Sequence, residues 1–261
     1  MATTVYIKTG TGTGAGTQAD PYFYDQLATA ETAAGSGGTI LFTDGSYATK
    51  HFASSGVTYE SENLHGASFT GVTKNFGAIG VSVTVRKMKF VFNTGDRIDL
   101  YGQSSIIDQC HIKTTQSYLI NVKETSTSCK ITNCLLENVI TSSATPGILG
   151  DSWNHLGEYN GNTYFVSGLL GLGVTNITFD GGGLTSCKNS IFMSDDTANS
   201  VIASAEDTSD GGTNCCFFQF GSGNASGGTN NVFTDPLFVD ASNADFRLRP
   251  SSPCINAGTT S

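Results

Sequence analysis

Three sets of apolar residues recur at one offset along this chain: Val85, Ile107 and Ile131; Met88, Cys110 and Cys134; Phe90, Ile112 and Leu136. Within each set the numbering advances by 22 and then by 24. A step of that length is too long for a heptad and too short for a helical hairpin pair. It suits one coil of a parallel β-solenoid, in which each rung stacks its apolar residues on the rung below at about 4.8 Å. The 32 glycines, with abundant Ser, Thr and Asn, supply the tight turns that such coils require.

The same reading organises the rest of the chain into one domain. Residues 1–37 hold a first strand at 4–8 and a capping helix. Asp20 is its expected N-cap, Pro21 its first residue and Ala34 its end, with Phe23, Leu27 and Ala30 on the buried face. Coils fill 38–234, about nine in number at this repeat length. The Gly/Asn-rich stretch 141–162 reads as an excursion from them. Coiling then resumes at Val174–Phe179, Asn189–Phe192 and Asn214–Phe218. Ser190 to Cys215 repeats a step of similar length, and Cys134 to Ile177 is read as two coils. A closing segment occupies 235–261.

Composition narrows the partners. A formal charge of −9 argues against nucleic acid and anionic membranes, because phosphates would meet no basic surface. No run approaches the ~20 apolar residues of a membrane helix. The start, Met-Ala-Thr-Thr-Val-Tyr, has no basic region followed by an apolar run, so no secretory signal is expected. The seven cysteines lie mostly in apolar runs and read as stacked core thiols, not a disulfide framework. Asn133, Asn176, Asn189 and Asn214 precede apolar pairs, where stacked amides would bond from coil to coil. Asp196, Glu206, Asp207 and Asp210 belong to a solvated loop, with a calcium loop as the sharper alternative.

The tail, Asp235-Pro-Leu-Phe-Val-Asp240 and then Asp245-Phe-Arg-Leu-Arg-Pro-Ser-Ser-Pro-Cys-Ile-Asn-Ala-Gly258, resembles the closing segment of the pectate-lyase-like superfamily of right-handed parallel β-helix proteins. The Val-Tyr-Ile strand, Gly/Thr loop, Asp-Pro helix and Gly-Thr-Ile-Leu-Phe-Thr-Asp-Gly run are similar to the same group. The resemblance implies an all-β, single-stranded right-handed parallel β-helix with a short N-terminal cap. Members include polysaccharide lyases, hydrolases, adhesins and phage virion proteins, so activity has to be argued from the site.

For a lyase of alginate or pectate type, the stacked register brings Arg86 beside Asp108 and Lys89 beside His111, with Lys113 and Arg97 near. Lys89, His111 and Arg86 are the candidate catalytic residues, and calcium is the cofactor such β-elimination would call on. The outward columns contain one acid, Asp108, which is too few for a calcium cluster. Trp153, His155 and Tyr159 form a candidate glycan-binding set. The favoured expectation is therefore a structural or adhesive protein without catalysis or cofactor. It would be a virion component such as a capsid decoration or tail-associated protein, released by lysis. Self-association as a homotrimer is expected, with other virion proteins or cell-surface polysaccharide as partners.

Overall fold

The structure, a computed structural model, describes residues 3–48, 51–71, 74–76, 81–93, 96–115, 118–123, 128–140, 147–150, 156–168, 176–180, 186–195, 201–204, 212–219 and 229–258. The chain winds as a parallel β-solenoid with three faces, formed by parallel sheets of nine, eight and six strands. Each strand of the eight-stranded sheet belongs to one coil, so the described coils number eight where the spacing suggested about nine. The opening columns are literal neighbours: Val85, Ile107 and Ile131 pair across the nine-stranded sheet. Phe90, Ile112 and Leu136 do so across the eight-stranded one. All six are fully buried.

One corner is built the same way in coil after coil. Where the nine-stranded face turns into the eight-stranded face, a single residue takes positive φ: His65, Lys87, Gln109, Asn133, Gly161, Asn189, Asn214 and Asn230. This left-handed conformation favours Gly and Asn, which fill five of the eight places. From Lys87 to Asn214, each corner N–H donates to a carbonyl of the following coil, at 2.9–3.1 Å. Asn133, Asn189 and Asn214 thus act through corner backbone, and Asn133 also through its amide, which donates to Asp108 of the preceding coil. Asn176 lies instead in the strand Asn176–Asp180 of the six-stranded sheet.

The residue after each corner points inward and continues the stitching. Cys110 N–H donates to Cys134 Sγ (3.4 Å), Cys134 N–H to Asn162 Oδ1 (2.8 Å), and Asn162 N–H to Ser190 Oγ (3.2 Å). Cys215 N–H does the same to Asn231 Oδ1 (2.9 Å). Cys134 therefore shares a polar function with Asn and Ser: each offers an acceptor to a backbone N–H that burial would otherwise strand.

Three sequence expectations change. The helix is shorter, a 3-10 turn Tyr24–Gln26 followed by α-helix Leu27–Ala34, because Tyr22–Phe23 is drawn into a strand against Ile7 and Lys8. Asp20 accordingly caps no helix; its carboxylate accepts from Ala15 N–H at 3.1 Å. Leu27, Ala30 and Ala34 are buried as the cap requires, and Tyr24 takes the place expected for Phe23. Second, 141–162 is no excursion where it is described: Gly147–Gly150 and Leu156–Asn160 are rungs of the six- and nine-stranded sheets. A register shift between Cys129 and Lys130, which skips Gly157, takes up one residue of the longer coil. Third, Ile177 pairs with Ile202 in the six-stranded sheet and so leaves the Cys134 column, which runs to Asn162.

The closing segment is an antiparallel hairpin, Phe238–Asp240 with Asp245–Leu248. Phe246 packs on Phe238 (5.2 Å between ring centroids) and on Phe165 (5.3 Å), a residue of the outer face of the eight-stranded sheet. The tail thus folds back along the outside of the solenoid.

Candidate functional site

In a parallel stack, residues of one column are separated by a single strand spacing, so charges at equal register must either pair or repel. On the outer face of the nine-stranded sheet, Glu60, Arg86, Asp108 and Thr132 are successive register partners. The three charges alternate in sign. Arg86 Nε lies 3.2 Å from Asp108 and its Nη1 lies 3.7 Å from Glu60, while Lys87 Nζ reaches Glu60 at 2.5 Å. Asp108 also accepts from Thr132 Oγ1 (2.8 Å) and Asn133 Nδ2 (2.9 Å). The expected Arg86–Asp108 pair is present, and both of its members are engaged by neighbouring coils.

Around the corner, the outer face of the eight-stranded sheet places Lys89 against His111 in register, as the spacing predicts. His111 Nε2 donates to Glu137 Oε1 at 2.9 Å, and Lys113 Nζ binds Glu137 Oε2 at 2.8 Å. Glu137 is only 2% exposed. Burial pushes its carboxyl upward, but the hydrogen bonds from His111 and Lys113 outweigh it and leave the group below its ordinary value. The corner residue His65 leans over the same patch. Its Nε2 donates to the Gln109 carbonyl (3.1 Å), and its ring centre lies 5.7 Å from that of His111. Burial, then the neighbouring His111 and Lys89, hold His65 below the usual imidazole value.

The patch is therefore one buried carboxylate surrounded by His111, Lys113, Lys89 and His65. Among these, Lys89 makes no described side-chain hydrogen bond or ion pair. Such a cluster can hold an anionic group beside Lys89. A carboxylate-oriented imidazole is also a recognised way to place a proton acceptor.

Glu137 and His65 escaped the sequence reading. Glu137 had a signal, since it follows Lys113 by the same step that joins Ile112 to Leu136. His65 had none, because it reaches the patch through a corner.

The other candidates separate from this patch. Tyr159 is fully buried, stacked on Phe192 at 5.8 Å, and is a core residue rather than a face for sugar rings. Trp153 and His155, its expected companions, lie outside the described residues, as do Asp196, Glu206, Asp207 and Asp210. Among the described residues, no three His, Cys, Asp or Glu side chains converge as a metal site. No helix of the described residues is long and apolar enough to cross a membrane. No protein-family model matches this chain, and the search of curated proteins gives no significant match.

Proposed function

We propose that this chain is a non-catalytic structural or adhesive β-solenoid, of the kind used as a virion decoration or tail-associated component, with protein or polysaccharide partners on its outer faces. One observation carries the reading. Two of the three polar groups that a lyase would turn toward substrate, Arg86 and His111, are committed to bracing coil on coil. Arg86 bridges Glu60 and Asp108, and His111 is bound to a buried Glu137 that Lys113 also holds. Freeing Arg86 or His111 for a substrate would break contacts that join successive coils.

The reading is tested with a panel of polyuronates, with and without calcium, following the ultraviolet absorbance of the unsaturated uronate that β-elimination releases. A flat trace is expected. A rise that Lys89→Ala abolishes would overturn the proposal in favour of an acidic-polysaccharide lyase. That second reading has its own support in the placement of Lys89 beside His111 and near His65. Assembly is proposed as a homotrimer, and a monomer in multi-angle light scattering would refute that part.

A further inference from the structure

Where the nine- and eight-stranded faces meet at the corner, neighbouring coils pair their charges. Glu60 is met by Arg86 and Lys87, Asp108 by Arg86, and Glu137 by Lys113 and His111. Lys89 differs. It has Ser68 on one side in register and His111 on the other, and it makes no described ion pair. Its half-buried ammonium is a positive charge that the adjoining coils leave uncompensated.

His65 belongs to the same cluster. It takes the corner one coil earlier, its N–H donating to the Lys87 carbonyl. Its ring centre lies 5.7 Å from that of His111, the register neighbour of Lys89. Nε2 of His65 faces the Gln109 carbonyl at 3.1 Å, a contact that requires the ring hydrogen on Nε2. Nδ1 makes no described hydrogen bond. In the neutral ring it holds a bare lone pair, which repels an anion. Protonation turns the same atom into a donor and adds a charge. His65 and Lys89 are both half-buried, so each keeps a side open to solvent.

We propose that Lys89 and His65 form a proton-coupled site for a singly charged oxyanion, a sulfate ester or a carboxylate. The anion and one proton bind together. Lys89 supplies the standing charge, and protonated His65 supplies a second charge and an N–H donor at Nδ1. By linkage, anion and proton strengthen each other's binding to the same degree.

The groups around His65 favour this coupling. Burial, then His111 and Lys89, hold its imidazole below the ordinary value, so it is neutral near pH 7, and an arriving anion offsets the repulsion from Lys89. His111 is committed through Nε2 to Glu137, whose charge Lys113 also meets, so that carboxylate is already compensated. Across the corner, Glu60 holds Arg86 and Lys87, while Asp108 is held by Arg86, Thr132 and Asn133. On the turn before His65, Glu62 accepts from Gln18, and Asn63 donates to Asp44. The site does not depend on the function proposed above, because binding is read without turnover.

The test titrates the full chain with methyl sulfate, which keeps one charge at both pH 5 and pH 8. Affinity is read from backbone amide shifts by NMR, and the His65 ring nitrogens are followed in the same samples. Affinity should rise about fivefold or more from pH 8 to pH 5, the factor that one added charge about 4 Å from an anion contributes even at the dielectric of water. Saturating methyl sulfate should raise the pH at which His65 titrates. An unmoved His65 midpoint in the wild-type chain would overturn the proposal without any variant. His65→Asn keeps a residue that this corner accepts at 133, 189 and 214; it should match the wild type at pH 8 and lose most of the gain at pH 5. Lys89→Gln should weaken binding at both. A full gain at pH 5 in folded His65→Asn, or unchanged affinity in Lys89→Gln, would each refute the coupled site. Glucose 6-sulfate binding more tightly than methyl sulfate would place the anion on a sugar, and equal affinity would mark a free oxyanion as the ligand; either result upholds the coupling.

Discussion

Replacing Glu137 with Ala removes the acceptor at the centre of the outer patch. His111, itself mostly buried, loses a charge-assisted hydrogen bond of 2.9 Å, a contact of a kind that contributes about 1.5–3 kcal/mol. The Lys113 side chain is about one-third exposed and can turn to water, so its 2.8 Å pair adds no more than about 1 kcal/mol. Glu137→Ala should therefore lower stability by about 2–4 kcal/mol. The measurement is urea denaturation, with the midpoint falling and the slope unchanged. A loss under about 0.5 kcal/mol, the scale of an ordinary surface change, would refute the claim that this network braces the coils.

The pH dependence sharpens the test. Because Glu137 is depressed in the folded chain, its contribution is complete above its ordinary value of 4.5 and is lost as pH falls through its lower folded value. His65 is also depressed, so below its ordinary 6.5 the unfolded chain binds protons that the folded chain resists. Both effects make stability decline on acidification. Glu137→Ala should flatten the part of that decline below pH 4.5 and leave the His65 part intact.

Asn162→Ala should destabilise by about 1–3 kcal/mol in the same assay, because it strands the buried Cys134 N–H; a loss under about 0.5 kcal/mol would sink the stitching role. Gly161→Val should cost at least about 2 kcal/mol, since φ is +69° and a Cβ would approach Asn133 Oδ1 to 2.6 Å; an unchanged melting temperature would argue against the shared corner. Tyr159→Ala should cost about 3–5 kcal/mol. Any glycan binding lost in that variant should fall in step with its circular dichroism signal, and selective loss in a folded protein would contradict the core assignment.

The columns from Val85 to Leu136 are legible because three coils there keep nearly one length, and stacking turns equal spacing into contact. Arg86–Asp108 and Lys89–His111 follow from the same arithmetic. Glu137 escapes because it lies beyond the three-residue columns from which Arg86–Asp108 and Lys89–His111 are read, although it is in register with Lys113. The rungs at 147–150 and 156–160 escape because the coil lengthens there: the separation in sequence grows from 24 between Cys110 and Cys134 to 28 between Cys134 and Asn162. Gly-Ile-Leu-Gly also carries little strand signature. The helix start is misjudged for a tertiary reason: Tyr22 and Phe23 gain a strand partner in Thr4–Lys8, which outweighs a favourable Asp-Pro start. Cysteine composition suggests core thiols, and it gives no sign that Cys187 and Cys215 of neighbouring coils meet with their sulfurs 3.9 Å apart.

The positive-φ corner has a consequence for how such a chain can change. Its members fall at 65, 87, 109, 133, 161, 189, 214 and 230, so the coils between them differ in length, yet the corner backbone repeats with little variation. Length differences are therefore absorbed on the other two edges of the triangle, while this edge acts as a straight spine. Insertions placed away from the spine should leave the stacking of its neighbouring faces undisturbed. The fold can thus enlarge its outer loops one coil at a time, with the spine keeping count.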